Sequence, residues 1–318
     1  MPGAAQMQEG AGKRALITGL AGFTGHYMAQ ELAAAGYRVF GTAMPSEVPA
    51  TPAGSAYQEK DVFAVNLCDR AAVIAMIAQV QPDVVVHLAG IAFVAHANVD
   101  LMYQVNIVAS RNLLEALAAS AHRPAAVLLA SSANIYGNAD VSIIDETVAP
   151  APANDYAVSK LAMEYMARLW MDRLPLILAR PFNYTGVGQA DNFLLPKIVG
   201  HFRRGAREIE LGNLAIARDF SDVRAVVRSY RGLLARAPGA RWADPAFNVC
   251  SGRSVSLHSV IAMMEEIAGY KIAVKVNPAF VRNNDVMTLT GSRARLDEAI
   301  GIVEQVPLAT TLEWMYRA

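Results

Sequence analysis

Between residues 14 and 180 the chain alternates short, uninterrupted apolar runs with longer stretches whose apolar residues recur at helical spacing. Arg14-Ala15-Leu16-Ile17-Thr18 opens the series and stops at Gly19; Tyr37-Arg38-Val39-Phe40, Val84–Leu88, Ala126–Ala130 and Leu176–Ala179 continue it. Runs this short and apolar predict strands buried on both faces, the pattern of a parallel sheet covered by helices. The stretches between them predict helices over about 22–35, 71–80, 103–120 and 156–172, the first closed by Gly36, a residue suited to a helix C-terminus. The expected architecture is α/β, a doubly wound parallel sheet. Beyond Asn183 the alternation weakens as Gly, Pro and Asn become frequent, predicting a smaller α/β lobe. Phe247-Asn248-Val249-Cys250 is expected to return a strand to the main sheet, and Ala262-Met263-Met264 to be helix core.

Composition narrows the partners. Of 318 residues, 54% are hydrophobic, ample for a large core, and Lys+Arg balance Asp+Glu at 28 each. A chain with no global field does not attract nucleic acid or an anionic membrane. No apolar run approaches the ~20 residues that span a bilayer. Cys68 and Cys250 stand too far apart for a metal or redox spacing and read as small buried residues of a reducing compartment. No metal is expected, and the cytoplasm is the expected location. Met1–Gly12 lacks the basic-then-apolar order of a signal peptide and reads as a disordered leader, residues 1–12.

The first predicted strand and helix are joined by Gly19-Leu20-Ala21-Gly22-Phe23-Thr24-Gly25. Glycines there permit a tight turn and let the backbone approach a pyrophosphate, toward which the helix aims its N–H groups. In the first strand–helix unit of an alternating chain, this loop predicts a dinucleotide site on a Rossmann-type sheet. Such sites often carry an acid after the second strand to hold the adenosine ribose. Here that strand runs into Gly41-Thr42-Ala43-Met44, which favours NADP(H) over NAD(H). No arginine stands there to bind a 2′-phosphate, Arg38 being at the wrong end of the strand.

Tyr156 and Lys160 are four apart near a predicted helix start and share one face. An ammonium beside a phenol favours the phenolate, lowering a pKa that is otherwise ~10 and allowing proton exchange near neutrality. Ser132 follows the strand Ala126–Ala130, at the edge where parallel sheets place their sites, and its hydroxyl could orient a substrate oxygen. Each feature recurs by chance; together with the glycine loop they predict a catalytic trio. His87, after an apolar strand, reads as a packed residue, and His96 as a loop residue.

With these pieces the chain resembles the extended branch of the short-chain dehydrogenase/reductase family, which includes sugar-nucleotide epimerases, dehydratases and reductases. The likeness rests on Gly19–Gly25, spaced G-x-x-G-x-x-G, on His87-Leu88-Ala89-Gly90, and on Asn106 before Asn112-Leu113-Leu114-Glu115. It rests equally on Ser131-Ser132-Ala133-Asn134-Ile135-Tyr136-Gly137 and Tyr156-Ala157-Val158-Ser159-Lys160. It implies that Ser132, Tyr156 and Lys160 are catalytic and Tyr136 structural. It also implies cofactor contacts from Gly19, Gly22, Phe23, Thr24, Gly25, Asn66, Leu67, Leu88, Ala89, Gly90, Lys160 and Pro181. Asn66-Leu67 stands where the family usually has an acid and an aliphatic residue. The dinucleotide-binding domain is then expected over 13–182 plus about 219–251, and a sugar-nucleotide-binding lobe over about 183–218 and 252–318.

Arg180-Pro181-Phe182-Asn183, Leu211-Gly212-Asn213-Leu214, Arg218-Asp219-Phe220-Ser221-Asp222-Val223, and Arg282 with Asp285 resemble the members that process GDP-mannose. That likeness implies substrate contacts from Asn183, Lys197, Gly212, Arg218, Arg282 and Asp285, the arginines because a guanidinium pairs two diphosphate oxygens at once. Asn283 replaces a usual proline. Dehydratases of the family carry an acid just after the catalytic hydroxyl, whereas Ala133 and Asn134 cannot act as general acid or base. The pattern most resembles GDP-4-keto-6-deoxy-D-mannose reductases. It implies reduction of a C4 ketone to GDP-D-rhamnose in a homodimer packed through the helices over 103–120 and 156–172. A 4-epimerase and a GDP-4-keto-6-deoxyheptose reductase fit the same chemistry, and a non-catalytic redox sensor fits the same fold.

Overall fold

The computed structural model describes residues 9–46, 55–92, 98–240, 242–278 and 288–318. Its strands run, in chain order, β1 (Arg14–Thr18), β2 (Arg38–Ala43), β3 (Val62–Ala64), β4 (Val84–His87), β5 (Ala126–Ala130), β6 (Leu176–Pro181) and β7 (Asn183–Thr185). They continue with β8 (Glu208–Leu211), β9 (Ala217–Asp222), β10 (Ala246–Val249), β11 (Ser254–Ser256), β12 (Ala273–Val276) and β13 (Thr288–Leu289). The helices are α1 (Phe23–Ala34), α2 (Arg70–Val80), α3 (Val99–Tyr103), α4 (Ser110–Ala119) and α5 (Asp155–Arg168), then α6 (Leu194–Arg203), α7 (Val223–Arg236), α8 (Leu257–Ala268), α9 (Ala294–Ile300) and α10 (Leu308–Arg317). A π-turn, Gln104–Ala109, joins α3 to α4, so the helix expected over 103–120 is longer and changes geometry inside.

Seven strands form a parallel sheet in the order β10-β6-β5-β4-β1-β2-β3. The order reverses between β1 and β4, whose carboxyl ends therefore open a crevice for a ligand. Register decides what lies at that end. Phe40, Leu16, Val85, Val127 and Leu176 form one row across the sheet, buried in a cluster with Leu113, Leu114 and Leu117 of α4. Side chains two residues on face the same way. There the row becomes polar at Thr42, Thr18 and His87 before returning to Leu129 and Leu178.

The helices begin and end on local chemistry. Asp69 caps α2 by accepting the N–H groups of Ala71 and Ala72, and Asn154 caps α5 through Ala157. Gln81 closes α2 in the left-handed region, at φ 47°. Met264 is fully buried in α8, as the apolar spacing predicts, with Met263 packed beside the same cluster.

Two compact units divide the chain: Met1–Ile135, Pro152–Arg180 and Tyr230–Phe247 in one, Tyr136–Ala151, Pro181–Ser229 and Asn248–Ala318 in the other. The boundaries drawn from sequence had kept 136–151 and all of 219–251 with the dinucleotide-binding domain. Long-range hydrogen bonds explain the difference at 136–151. The Tyr136 hydroxyl donates to Asn248 Oδ1 (2.8 Å), and Asn248 donates through Nδ2 to Ile144 O (3.1 Å) and through its backbone N–H to Glu146 (2.7 Å). Within the second unit β9 pairs with β11, β13 and β7, β8 pairs with β12, and Phe202, Phe220, Leu257 and Leu312 share an apolar core.

The last residues of the expected leader, from Glu9, are among the described residues. The Glu9 carboxylate accepts the Tyr37 hydroxyl (3.1 Å), and Gly10 N–H donates to Ala35 O (2.9 Å), so residues 9–12 are tied to the turn after α1. Residues 1–8 lie outside the described residues. Among the described residues no helix is long and apolar enough to cross a membrane.

Candidate active site

The crevice between β1 and β4 is built by backbone meeting backbone. Gly19 has φ 72°, and a Cβ on it would lie 2.8 Å from Ala89 N. A Cβ on Gly25 would lie 2.4 Å from Gly19 O. Neither neighbour is a side chain that can swing away, so the loop requires glycine at both positions. The helix that follows is open to an anion: Gly22 offers α1 no side-chain cap, and its first turn holds no acidic residue. In contrast to the self-capped α2 and α5, this N-terminus suits the pyrophosphate of a dinucleotide.

Gly90 lies beside Asn106 and Lys160. A Cβ there would stand 3.0 Å from Asn106 Oδ1 and 3.2 Å from Lys160 Nζ. The Lys160 ammonium, buried, donates to Ala130 O (2.9 Å), two residues before Ser132. Burial pushes its pKa down to about 8, and the Glu164 carboxylate one turn along α5 opposes that shift. Glu164 is in turn gripped by Arg180 through two bonds of 2.9 and 2.7 Å, with both side chains buried. Tyr156, one turn before Lys160, is also buried. Ser132 Oγ accepts the Asn134 N–H (3.1 Å), which leaves its own hydrogen to donate to an incoming oxygen. The first unit therefore brings the glycine loop, Leu88–Gly90, Lys160 and the strand end before Ser132 to one edge of its sheet.

The sequence model of the GDP-mannose 4,6 dehydratase family matches residues 16–315. The chain belongs to this family. It is an extended short-chain dehydrogenase/reductase. A GDP-6-deoxy-D-mannose reductase of Pseudomonas aeruginosa is 33% identical over 242 residues, covering 73% of this chain and 78% of that protein. A GDP-6-deoxy-D-talose 4-dehydrogenase of Aggregatibacter actinomycetemcomitans is 31% identical over 237 residues, covering 74% and 79%. Among solved structures, an epimerase candidate from Burkholderia cenocepacia J2315 has 54% identity and a TM-score of 0.89, over 96% of this chain and 98% of that one. The NADPH complex of RMD from Pseudomonas aeruginosa has 29% identity and a TM-score of 0.79, over 97% and 98%.

Other family positions sort by their surroundings. Leu67 is buried in the apolar cluster, and its carbonyl accepts from Asn112 (3.1 Å). Asn66 is exposed, its Oδ1 accepting the Cys68 N–H (3.0 Å). Arg38 pairs with Asp61 (2.7 Å) and lies over the Phe40 ring, at the N-terminal end of β2 as the sequence indicates. In the second unit Asn183 Nδ2 donates to Asp219 O (3.4 Å), Lys197 Nζ to Glu210 O (3.0 Å), and Arg218 Nη1 to Ala217 O (2.9 Å). Gly212 follows β8, and Pro181 ends β6. Arg282, Asp285 and His96 lie outside the described residues.

Two residues with no predicted role organise these elements. Asp219 is fully buried and accepts from Ser251 N–H (2.8 Å) and Oγ (2.7 Å), Gly252 N–H (3.0 Å) and Gly291 N–H (3.3 Å), which pins β9 beside Arg218. Asn106, on the π-turn, accepts the Ile91 N–H (2.9 Å) and donates to Ile91 O (3.2 Å) and Ser159 Oγ (2.9 Å). Ser159 then donates to Tyr156 O (2.8 Å). Asn106 was visible in the sequence only as part of a motif.

Burial holds Lys160 near a pKa of about 8, so its ammonium is lost as pH rises through that value. Turnover of the wild-type enzyme is expected to fall along an alkaline limb centred there in a pH–rate profile. Glu164→Gln removes the charge that opposes the shift and is expected to move that limb to lower pH. An unmoved limb would separate Lys160 from the chemistry. The stability term has its own sign. Because the folded pKa lies below the ordinary value of 10.5, the buried charge penalises the fold, and the penalty fades as pH rises from about 8 toward 10.5.

Proposed function

We propose that this chain reduces the C4 ketone of a GDP-4-keto-6-deoxy-sugar with NADPH, giving GDP-D-rhamnose. The reading is supported by Ser132 just after β5, with Ala133 and Asn134 following it where elimination of water would need a carboxyl group, and by Tyr156 and Lys160 one turn apart on α5. The chain is a nicotinamide-dependent sugar-nucleotide oxidoreductase, in line with its 31% and 33% identical relatives.

A nicotinamide held at this edge would supply the hydride. Tyr156 gives its phenolic proton to the C4 oxygen as negative charge develops there, and Ser132 steadies the same oxygen with a hydrogen bond, keeping its own proton. Lys160 keeps its charge beside Tyr156, which makes the phenolate left behind less costly, and holds the nicotinamide ribose. Gly19, Gly22, Phe23, Thr24 and Gly25 receive the pyrophosphate, and Leu88, Ala89, Gly90, Asn66 and Pro181 line the rest of the cofactor. Asn183, Lys197, Gly212, Arg218, Arg282 and Asp285 serve the sugar nucleotide. The preference for NADPH rests on the uncharged run Gly41–Met44 at the carboxyl end of β2 and on the NADPH bound by RMD. The 54% identity to an epimerase candidate favours a second reading, in which the same trio takes up and returns the proton during inversion at C4.

The enzyme is taken to work in the cytoplasm as a homodimer. Leu101 of α3, Val108 of the π-turn, and Val158, Tyr165 and Leu169 at α5 are exposed apolar residues, Leu169 to 77%. Light scattering is expected to give the mass of two chains, and of one chain for Leu169→Asp with Tyr165→Asp; a monomeric wild type would remove this part of the reading.

Coupling GDP-mannose 4,6-dehydratase to this enzyme tests the reaction. Reduced nicotinamide should be consumed, faster for NADPH than for NADH, with GDP-rhamnose identified by NMR. Tyr156→Phe should lower kcat by about 10²–10⁴-fold, the usual contribution of a positioned acid. Oxidation of neither cofactor would sink the substrate assignment.

A further inference from the structure

Thr18, His87, Asn106, Ser110 and Ser159 are all buried polar residues, and hydrogen-bond inventory fixes the direction of the bonds that join them. Ser110 Oγ donates to the Asn106 carbonyl (2.8 Å), so it accepts from His87 Nε2 (2.8 Å). Nε2 therefore carries the proton and Nδ1 is bare. The bare Nδ1 accepts from the Thr18 hydroxyl (2.6 Å), and Thr18 Oγ1, its hydrogen committed, accepts the Ala89 N–H (3.3 Å). The imidazole stays neutral, because burial and then the Lys160 charge push its pKa down to about 3. Residues 89–91 are thus gripped at one end by Thr18 and at the other by Asn106, and His87 with Ser110 joins the two grips. Gly90, between them, lies against Lys160 Nζ.

We propose that His87 is a positioning residue: as a neutral Nε2–H tautomer it ties the segment Ala89–Ile91 to the Asn106 π-turn, setting it against Lys160 to receive the nicotinamide half of the cofactor. The assignment rests on the nicotinamide reading of this edge and not on which sugar is reduced. The sheet register explains why the residue is a histidine. Thr18 and His87 are cross-strand partners on the face that α4 covers, so the side chain must accept from one hydroxyl and donate to another. A leucine would leave the Thr18 and Ser110 hydroxyls buried without this partner.

The test uses the whole chain without sugar. Nitrogen NMR of histidine-labelled apo protein should show one Nε2–H tautomer for His87, unchanged from mildly acid to mildly alkaline pH. His87→Gln, whose amide nitrogen can replace Nε2 but not Nδ1, should speed amide exchange at Ala89 and weaken NADPH binding about fivefold, the effect of roughly one hydrogen bond. Ser110→Ala is the milder variant and should move both readouts in the same direction should His87→Gln fold poorly. An Nδ1–H tautomer in the wild type would overturn the proposal. So would variants that melt earlier yet bind NADPH with unchanged affinity. Wild-type protein that binds neither NADPH nor NADH would overturn the cofactor reading, and the positioning role with it. Binding without turnover of the GDP-sugar would leave the role of His87 standing and overturn only the substrate.

Discussion

An ammonium taken out of water is tolerated only if fixed dipoles and charges replace its hydration, and the first unit supplies them to Lys160. The Ala130 carbonyl accepts from it, Glu164 stands one turn away, and Arg180 from the end of β6 holds Glu164. Each partner comes from an element that the parallel sheet orders: β5 ends at Ala130, β6 carries Arg180, and α5 carries Lys160 and Glu164 on one face. Removing one member of the buried Arg180–Glu164 pair is therefore a change to the site as well as to stability. The same compact arrangement keeps Lys160 near the pH at which it can give up its charge, which a solvated lysine would not do.

Much of this edge was legible in the sequence because its signals are local. The glycine loop, the four-residue step from Tyr156 to Lys160 and the placement of Ser132 after an apolar strand depend on neighbours within a turn or two. The alternation of strands and helices was legible for the same reason. What spacing cannot encode is partnership across the chain. Tyr136 and Asn248 meet over 112 positions and Glu146 and Asn248 over 102, and these bonds place 136–151 in the second unit. The Arg180–Glu164 pair and the anchoring of β9 by Asp219 escaped notice in the same way. The π-turn carries no compositional mark at all: Gln104–Ala109 reads as ordinary helix until Asn106 is seen holding Ile91.

His87 shows where sequence reasoning stopped one step short. A histidine after three valines is rightly read as packed, and it is buried. Register then places it opposite Thr18 at the polar end of an otherwise apolar row, where packing and hydrogen bonding become one function. Under the proposed function, Ala133 and Asn134 stand where elimination of water would need an acid.

The proposed reaction is net hydride transfer from the reduced cofactor to C4 of a GDP-4-keto-6-deoxy-sugar. Supplying NADPH deuterated at the transferred position and reading the product by NMR tests it most directly. One deuterium at C4 of GDP-rhamnose, matched by one equivalent of oxidised cofactor, is the predicted result. No deuterium at C4 and no cofactor consumed would contradict it, and inversion at C4 of a 4-hydroxy nucleotide sugar without net cofactor consumption would assign the same trio to an epimerase.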